Sequence, residues 1–110
     1  MREIKAIIRP ERLTEVLHAL HEIPTLPGVT VSYVRGFGRQ SPANADDAEA
    51  RASVDMAKVE IVGPTELAMT VVDTIERAAH TGRLGDGKIF MMPVEHAVKV
   101  RSGERGAGAL

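Results

Sequence analysis

Two apolar stripes at helical spacing, each flanked by β-branched runs, restrict the fold of this chain more than any other feature. Leu13, Val16, Leu17, Leu20 and Ile23 form the first stripe; Ala68, Val71, Val72, Ile75 and Ala79 form the second. Ahead of the first, residues 2–8 read as a strand with Ile4, Ala6 and Ile8 on one face and Ile7 on the other. Pro10 suits the opening turn of a helix, where its missing N–H costs nothing, and Pro24, Pro27 and Gly28 close that helix. Residues 29–37 alternate and are β-branched, so they read as a second strand. Lys58–Val62 reads as a third strand, Gly63-Pro64-Thr65 opens the second helix, and Lys88–Val100 forms a last extended segment. The order strand, helix, strand, long loop, strand, helix, strand predicts an α+β fold. It fits a ferredoxin-like βαββαβ sandwich, a four-stranded antiparallel sheet with both helices on one face. The length fits a single domain, 1–110.

Composition narrows the function classes. Aromatic residues make up only 3%, so the core must be aliphatic and modest. A chain this short buries a limited fraction of its surface, and oligomerisation would add stability. Apolar residues on the sheet face away from the helices point the same way. A net charge of −1 argues against general nucleic-acid binding but allows a local cationic pocket. With no cysteine, disulfides, zinc–thiolate sites and thiol catalysis are excluded. No signal-like apolar run opens the chain and no stretch is long enough to span a membrane, so the expectation is a cytoplasmic protein that is not membrane-inserted.

The chemistry concentrates in Thr81-Gly82-Arg83-Leu84-Gly85-Asp86-Gly87-Lys88-Ile89-Phe90, between the second helix and the last strand. Gly82, Gly85 and Gly87 allow close backbone approach and inward-turned amides, and Arg83 and Lys88 add positive charge, a combination suited to a polyphosphate. The plain alternative is a helix-to-strand turn with a solvated lysine. A second segment of similar character, Arg35-Gly36-Phe37-Gly38-Arg39-Gln40, ends the second predicted strand. For Arg39 the plain alternative is an exposed strand-end cation. Residues 41–54, rich in Ala, Asp, Ser, Asn and Pro, exceed ordinary connection length and read as a functional or disordered loop. The Gly-rich tail, residues 102–110, reads as loose.

With these segments in order, the chain resembles the PII family of signal-transduction proteins over nearly its whole length, as a divergent PII-like member. The matching stretches are residues 4–10, 29–40, 58–62, 72–75 and 81–90, with Arg101-Ser102-Gly103-Glu104 near the end. The resemblance implies a homotrimer that binds ATP or ADP, with AMP a further candidate, in clefts between subunits. It implies regulation of a partner protein (a transporter, an enzyme or a regulator) through a T-loop at about 38–57, with no enzymatic reaction. A B-loop at about 81–88 and a C-terminal loop at about 99–110 would complete the site. The family pattern puts Gly36, Phe37, Gly38, Arg39 and Gln40 at the T-loop base beside the phosphates, and Gly85, Asp86, Gly87 and Lys88 on the B-loop. Lys99 and Arg101 fall where the family reaches in from the neighbouring subunit; Ile7, Thr30, Glu60 and Val62 fall near adenine and ribose. Gln40 would help hold nucleotide-bound Mg²⁺. Charge-assisted bonds from Arg and Lys suit a triphosphate, although Lys99 offers a point charge where the family has arginine's planar fork.

Departures from the pattern matter as well. Met56 stands where the family lysine pairs with 2-oxoglutarate, which puts sensing of that metabolite in doubt. The only tyrosine, Tyr33, lies on the second strand, which argues against T-loop uridylylation. Ser41 and Ser53 are the hydroxyls a modifying enzyme could reach. The loop is also shorter than usual by about three residues, a margin set by uncertain element boundaries.

Three further features carry alternatives. His18 and His21 lie three apart on the first helix and could bind a metal, although they share the polar side with Glu15 and Glu22. They support the alternative of a metal- or small-molecule-responsive trimer linked to a transport system. His80 reads as a cationic cap on the second helix. A small phosphohydrolase on the same fold would need an asparagine to place water, and the single one, Asn44, sits in the long loop.

Overall fold

The computed structural model describes residues 1–37 and 53–110. Its elements are β1 (Arg2–Ile8), a 3₁₀ turn (Pro10–Arg12), α1 (Leu13–His21), β2 (Val29–Phe37), β3 (Ser53–Gly63), α2 (Thr65–Ala79), β4 (Gly87–Pro93) and a terminal 3₁₀ turn (Gly106–Ala109). The four strands form one sheet in the order β2-β3-β1-β4, with every neighbouring pair antiparallel. This is the βαββαβ sandwich that the two stripes predict.

Burial follows the sequence periodicity. Ile4, Ala6 and Ile8 of β1 and Ala57, Val59 and Ile61 of β3 are buried on one face. Leu13, Val16 and Leu20 of α1 and Ala68, Val71, Ile75 and Ala79 of α2 close over them. Removing each large aliphatic side chain from water contributes roughly 1.5–3 kcal/mol. Leu17, Ile23 and Val72 pack at the margin of this core. Among the described residues, no helix is long and apolar enough to cross a membrane.

Three segments differ from expectation. β3 starts at Ser53, five residues before the expected Lys58, because Ser53–Ala57 pairs with Tyr33–Phe37. This ribbon runs past the end of β1, whose last partner on β3 is Ala57. The last strand ends at Pro93, short of the extended run to Val100. The tail is folded: the Lys99 N–H donates to the Glu104 carbonyl at 2.8 Å, and the Gly103 N–H donates to the Lys99 carbonyl at 2.8 Å. Val98 bridges Arg105, and a 3₁₀ turn follows.

The C-terminal end of α2 depends on an arginine near Pro10. Arg12 donates from Nε and Nη2 to the Ala78 carbonyl, at 3.0 and 2.6 Å, in the last turn of α2. A guanidinium at a helix C-terminus is favoured by the dipole there. The cationic cap expected of His80 is therefore supplied by Arg12. His80 holds the cap position through its backbone N–H, 3.1 Å from the Glu76 carbonyl.

Candidate functional site

Residues 81–87 connect α2 to β4 and are tied together by one carboxylate. Asp86 Oδ2 accepts the N–H groups of Thr81 and Gly82 at 2.8 and 2.9 Å. Asp86 Oδ1 accepts the Thr81 hydroxyl and, at 2.9 Å, Arg9 Nε. The Thr81 hydroxyl oxygen in turn accepts the Arg83 N–H at 3.2 Å. The hydroxyl and amide of Thr81, with Arg9 and the Gly82 amide, hold the Asp86 carboxyl well below the usual carboxylate range, against a smaller opposing effect of burial.

This network redistributes the roles expected of the loop. The amides at 81, 82 and 83 bond to Asp86 and Thr81, so the Gly82 N–H is not turned toward a ligand. The stretch from Leu84 to Gly87 is the part of the loop whose backbone can meet an anion. The Asp86 carboxylate is likewise occupied, so its contribution is to hold the loop in shape. Gly87 has φ +104°, and a Cβ there would lie 1.7 Å from the Ile7 carbonyl oxygen. Glycine is obligatory at that position because β1 passes directly beneath it, whatever binds above. Gly85, at φ +91°, lies against the Arg9 guanidinium.

Beside the loop, between the end of α2 (Glu76, Ala79, His80) and the start of β4 (Gly87, Lys88, Ile89), lies an open hollow of about 310 Å³. That is the low end of ligand-pocket volumes, room for part of a nucleotide. A larger groove of about 390 Å³ at the end of α1 is lined by aliphatic side chains and prolines, with His21 as its one titratable side chain.

Several expected site residues share the sheet face away from the helices. Lys88 of β4 neighbours Ile7 of β1, which neighbours Lys58 of β3. In the next row Phe90, Lys5, Glu60 and Thr30 lie side by side across the four strands, and Val62 follows beside Glu3. Ile7, Thr30, Glu60, Val62 and Lys88 are therefore brought onto one surface. Gly36 is on the same face toward the ribbon tip, where a Cβ would sit 3.7 Å from Met56 Cγ, and Met56 is buried. Phe37 points to the opposite face and is 65% exposed. Gly38, Arg39 and Gln40, with most of the expected T-loop, lie outside the described residues. Lys99 and Arg101 belong to the C-terminal turn, where Lys99 Nζ is 3.9 Å from Glu104 Oε1 and Arg101 is exposed. Within one protomer they are not joined to the B-loop by any hydrogen bond or ion pair among the described residues.

His18 and His21 are both exposed on α1, and no group of three or more His, Asp or Glu among the described residues is placed to hold a metal ion. The residue missing from the sequence reading is Arg9. Its partners, Asp86 and Leu84, lie more than seventy positions away, and no local pattern links them.

The family model for nitrogen regulatory protein P-II matches residues 1–104. The chain belongs to the P-II family. It is 44% identical to nitrogen regulatory protein P-II of Azospirillum brasilense and 42% identical to nitrogen regulatory protein P-II 1 of Escherichia coli K12, each alignment covering all of both chains. It is also similar to the crystal structure of PII from Arabidopsis thaliana bound to citrate, with a TM-score of 0.82 and 41% identity, over 99% of this chain and 91% of that one. P-II proteins are signal transducers without an enzymatic reaction, and this chain is a signalling protein of that kind. The phosphohydrolase alternative is thereby set aside.

Proposed function

We propose that this P-II protein is a homotrimeric sensor of adenine nucleotides that reports ATP against ADP to a partner protein through the loop between β2 and β3. The observation that carries the reading is the loop 81–87, held in one shape by Asp86 with Lys88 directly behind it. A loop already ordered before the ligand arrives loses less entropy on binding. Lys88 supplies a charge-assisted bond to a phosphate, and the Leu84–Gly87 backbone supplies dipoles. The citrate in the plant relative's structure is a multiply charged anion on the same fold.

Assembly supplies what one protomer lacks. The hollow beside Gly87 is too small and open for a whole nucleotide, so its remaining walls must come from elsewhere. Lys99 and Arg101 of a neighbouring subunit would meet the phosphates, and Ile7, Thr30, Glu60 and Val62 would take adenine and ribose. Gly36 and Phe37 would stand at the T-loop base, with Gly38, Arg39 and Gln40 beyond them. Magnesium would arrive on the phosphates and meet Gln40, since no protein-only metal cluster exists among the described residues. Support for self-association comes from Ile7, Val34, Val62, Phe90 and Met92 on the helix-free face, with Phe90 46% exposed.

Two finer points follow from this reading. Met56 places a buried thioether, not a cation, beside Gly36, and so offers no partner to a dicarboxylate. 2-Oxoglutarate is therefore not the expected co-effector. The partner is a cytoplasmic protein or the cytoplasmic side of a membrane transporter, with no nucleic acid involved. Calorimetric titration with ATP, ADP and AMP tests the reading. Lys88→Ala should weaken ATP binding by roughly 1.5–3 kcal/mol, the range for bonds to charged groups. No heat from the wild type at millimolar nucleotide would refute the proposal.

A further inference from the structure

We propose that Arg9 is the positioning residue of the nucleotide loop, setting affinity from behind it without touching the ligand. The inference rests on the nucleotide reading above and adds to it a residue that is remote in sequence.

Every nitrogen of the Arg9 guanidinium faces an oxygen of the protein. Nε donates to Asp86 Oδ1 at 2.9 Å, Nη2 donates to the Leu84 carbonyl, and Nη1 lies 3.7 Å from Glu11 Oε1. Its side chain is only 20% exposed. Nε and Nη2 are committed to the loop by hydrogen bonds and the side chain is largely buried, so Arg9 acts on the loop's shape and not as an outward-reaching phosphate clamp. Its two strongest contacts bracket the loop's C-terminal half, one on a side chain and one on a backbone carbonyl two residues earlier. Asp86 passes the constraint to the N-terminal half through Thr81 and Gly82.

The position just after β1 explains why the anchor is firm. Arg9 follows the last β1 residue and precedes Pro10, with an extended backbone (φ −62°, ψ 134°) leading into the 3₁₀ turn. The strand that lies beneath Gly87 therefore also delivers the side chain that grips Asp86. A planar fork reaches two acceptors at once, which an ammonium on a flexible stem does less well. Arg12 provides an internal control: it makes an equal number of hydrogen bonds to the adjacent Ala78 carbonyl, and none to the loop.

The test compares ATP calorimetry and amide hydrogen exchange across wild type, Arg9→Ala, Arg9→Lys, Asp86→Asn, the double variant Arg9→Ala/Asp86→Asn, and Arg12→Ala. Arg9→Ala should weaken ATP binding tenfold or more and speed exchange at the Thr81 and Gly82 amides. Arg9→Lys should recover part of both effects. The double variant should be no worse than the weaker-binding single variant, because the two residues act as one unit. Arg12→Ala should lower thermal stability yet leave ATP affinity within twofold of wild type. If Arg9→Ala does not fold, Arg9→Lys and Asp86→Asn carry the same comparison. Binding within twofold of wild type in the Arg9 variants, or additive losses in the double variant, would overturn the inference. Should the wild type itself bind no ATP, the nucleotide reading fails separately, and unchanged exchange at Thr81 and Gly82 in Arg9→Ala would then overturn the positioning role.

Discussion

The loop 81–87 and the tip of the β2–β3 ribbon are both connections beyond the core, yet they are built in opposite ways. In the first, one carboxylate joins two backbone amides, a hydroxyl and a guanidinium, and a glycine is wedged over β1. In the second, residues 34–37 and 53–56 extend past β1, and the ion pair found there, Arg35 Nε to Asp55 Oδ1 at 3.6 Å, is largely in water. Tyr33, Phe37 and Val54 are exposed along it. Among the described residues, side-chain bonding is dense in the loop 81–87 and sparse along the ribbon at 34–37 and 53–56. On the proposed reading the ribbon has to change arrangement with ligand, and a segment tied as firmly as the loop could do so only at a large cost in free energy.

Gly87→Ala forces a Cβ into the Ile7 carbonyl, and β1 or β4 must shift. Urea denaturation should show a loss on the order of 4 kcal/mol, at the upper end for single substitutions. A loss near that of an ordinary surface change would mean the loop is not seated on β1 as described.

The next test uses pH. Because the folded Asp86 carboxyl sits below its unfolded value, which is near pH 3.9 for a free aspartate, its contribution is fully present above that value. The contribution fades only as pH falls further, toward the folded titration. The Asp86-dependent part of the Thr81 and Gly82 amide shifts, read as the difference between wild type and Asp86→Asn, should therefore stay constant from pH 7 to about pH 4 and change only on further acidification. A shift centred in the ordinary carboxylate range would contradict the network.

The smallest effect belongs to the ribbon. Arg35→Ala should change stability by less than about 0.5 kcal/mol, as exposed ion pairs generally do. A larger loss would mean the tip is better anchored than its exposure implies.

Much of this architecture was legible in the sequence, and the reasons for the misses are physical. Ile4, Ala6 and Ile8 and the two helical stripes are periodic because one face of each element is buried, so their pattern survives without knowledge of the fold. Ser53–Ala57 has less to read: the start of the ribbon has neither a third strand nor a helix over it, and Val54 and Asp55 are both exposed. The C-terminal turn is held by backbone bonds between Lys99, Gly103 and Glu104, which a Gly-rich composition hides. The glycine loop was visible as a phosphate candidate, but not the division of labour inside it. Gly87 is required by a carbonyl of β1, and Asp86 is engaged by Arg9; both facts depend on residues nearly eighty positions away.

The central claim is that a preformed loop on each protomer becomes a complete nucleotide site only on assembly. Native mass spectrometry of the wild-type protein with ATP reads both halves at once. The expected spectrum is a trimer carrying up to one ATP per subunit. A monomer, or a trimer that stays free of nucleotide at saturating ATP, would contradict the account.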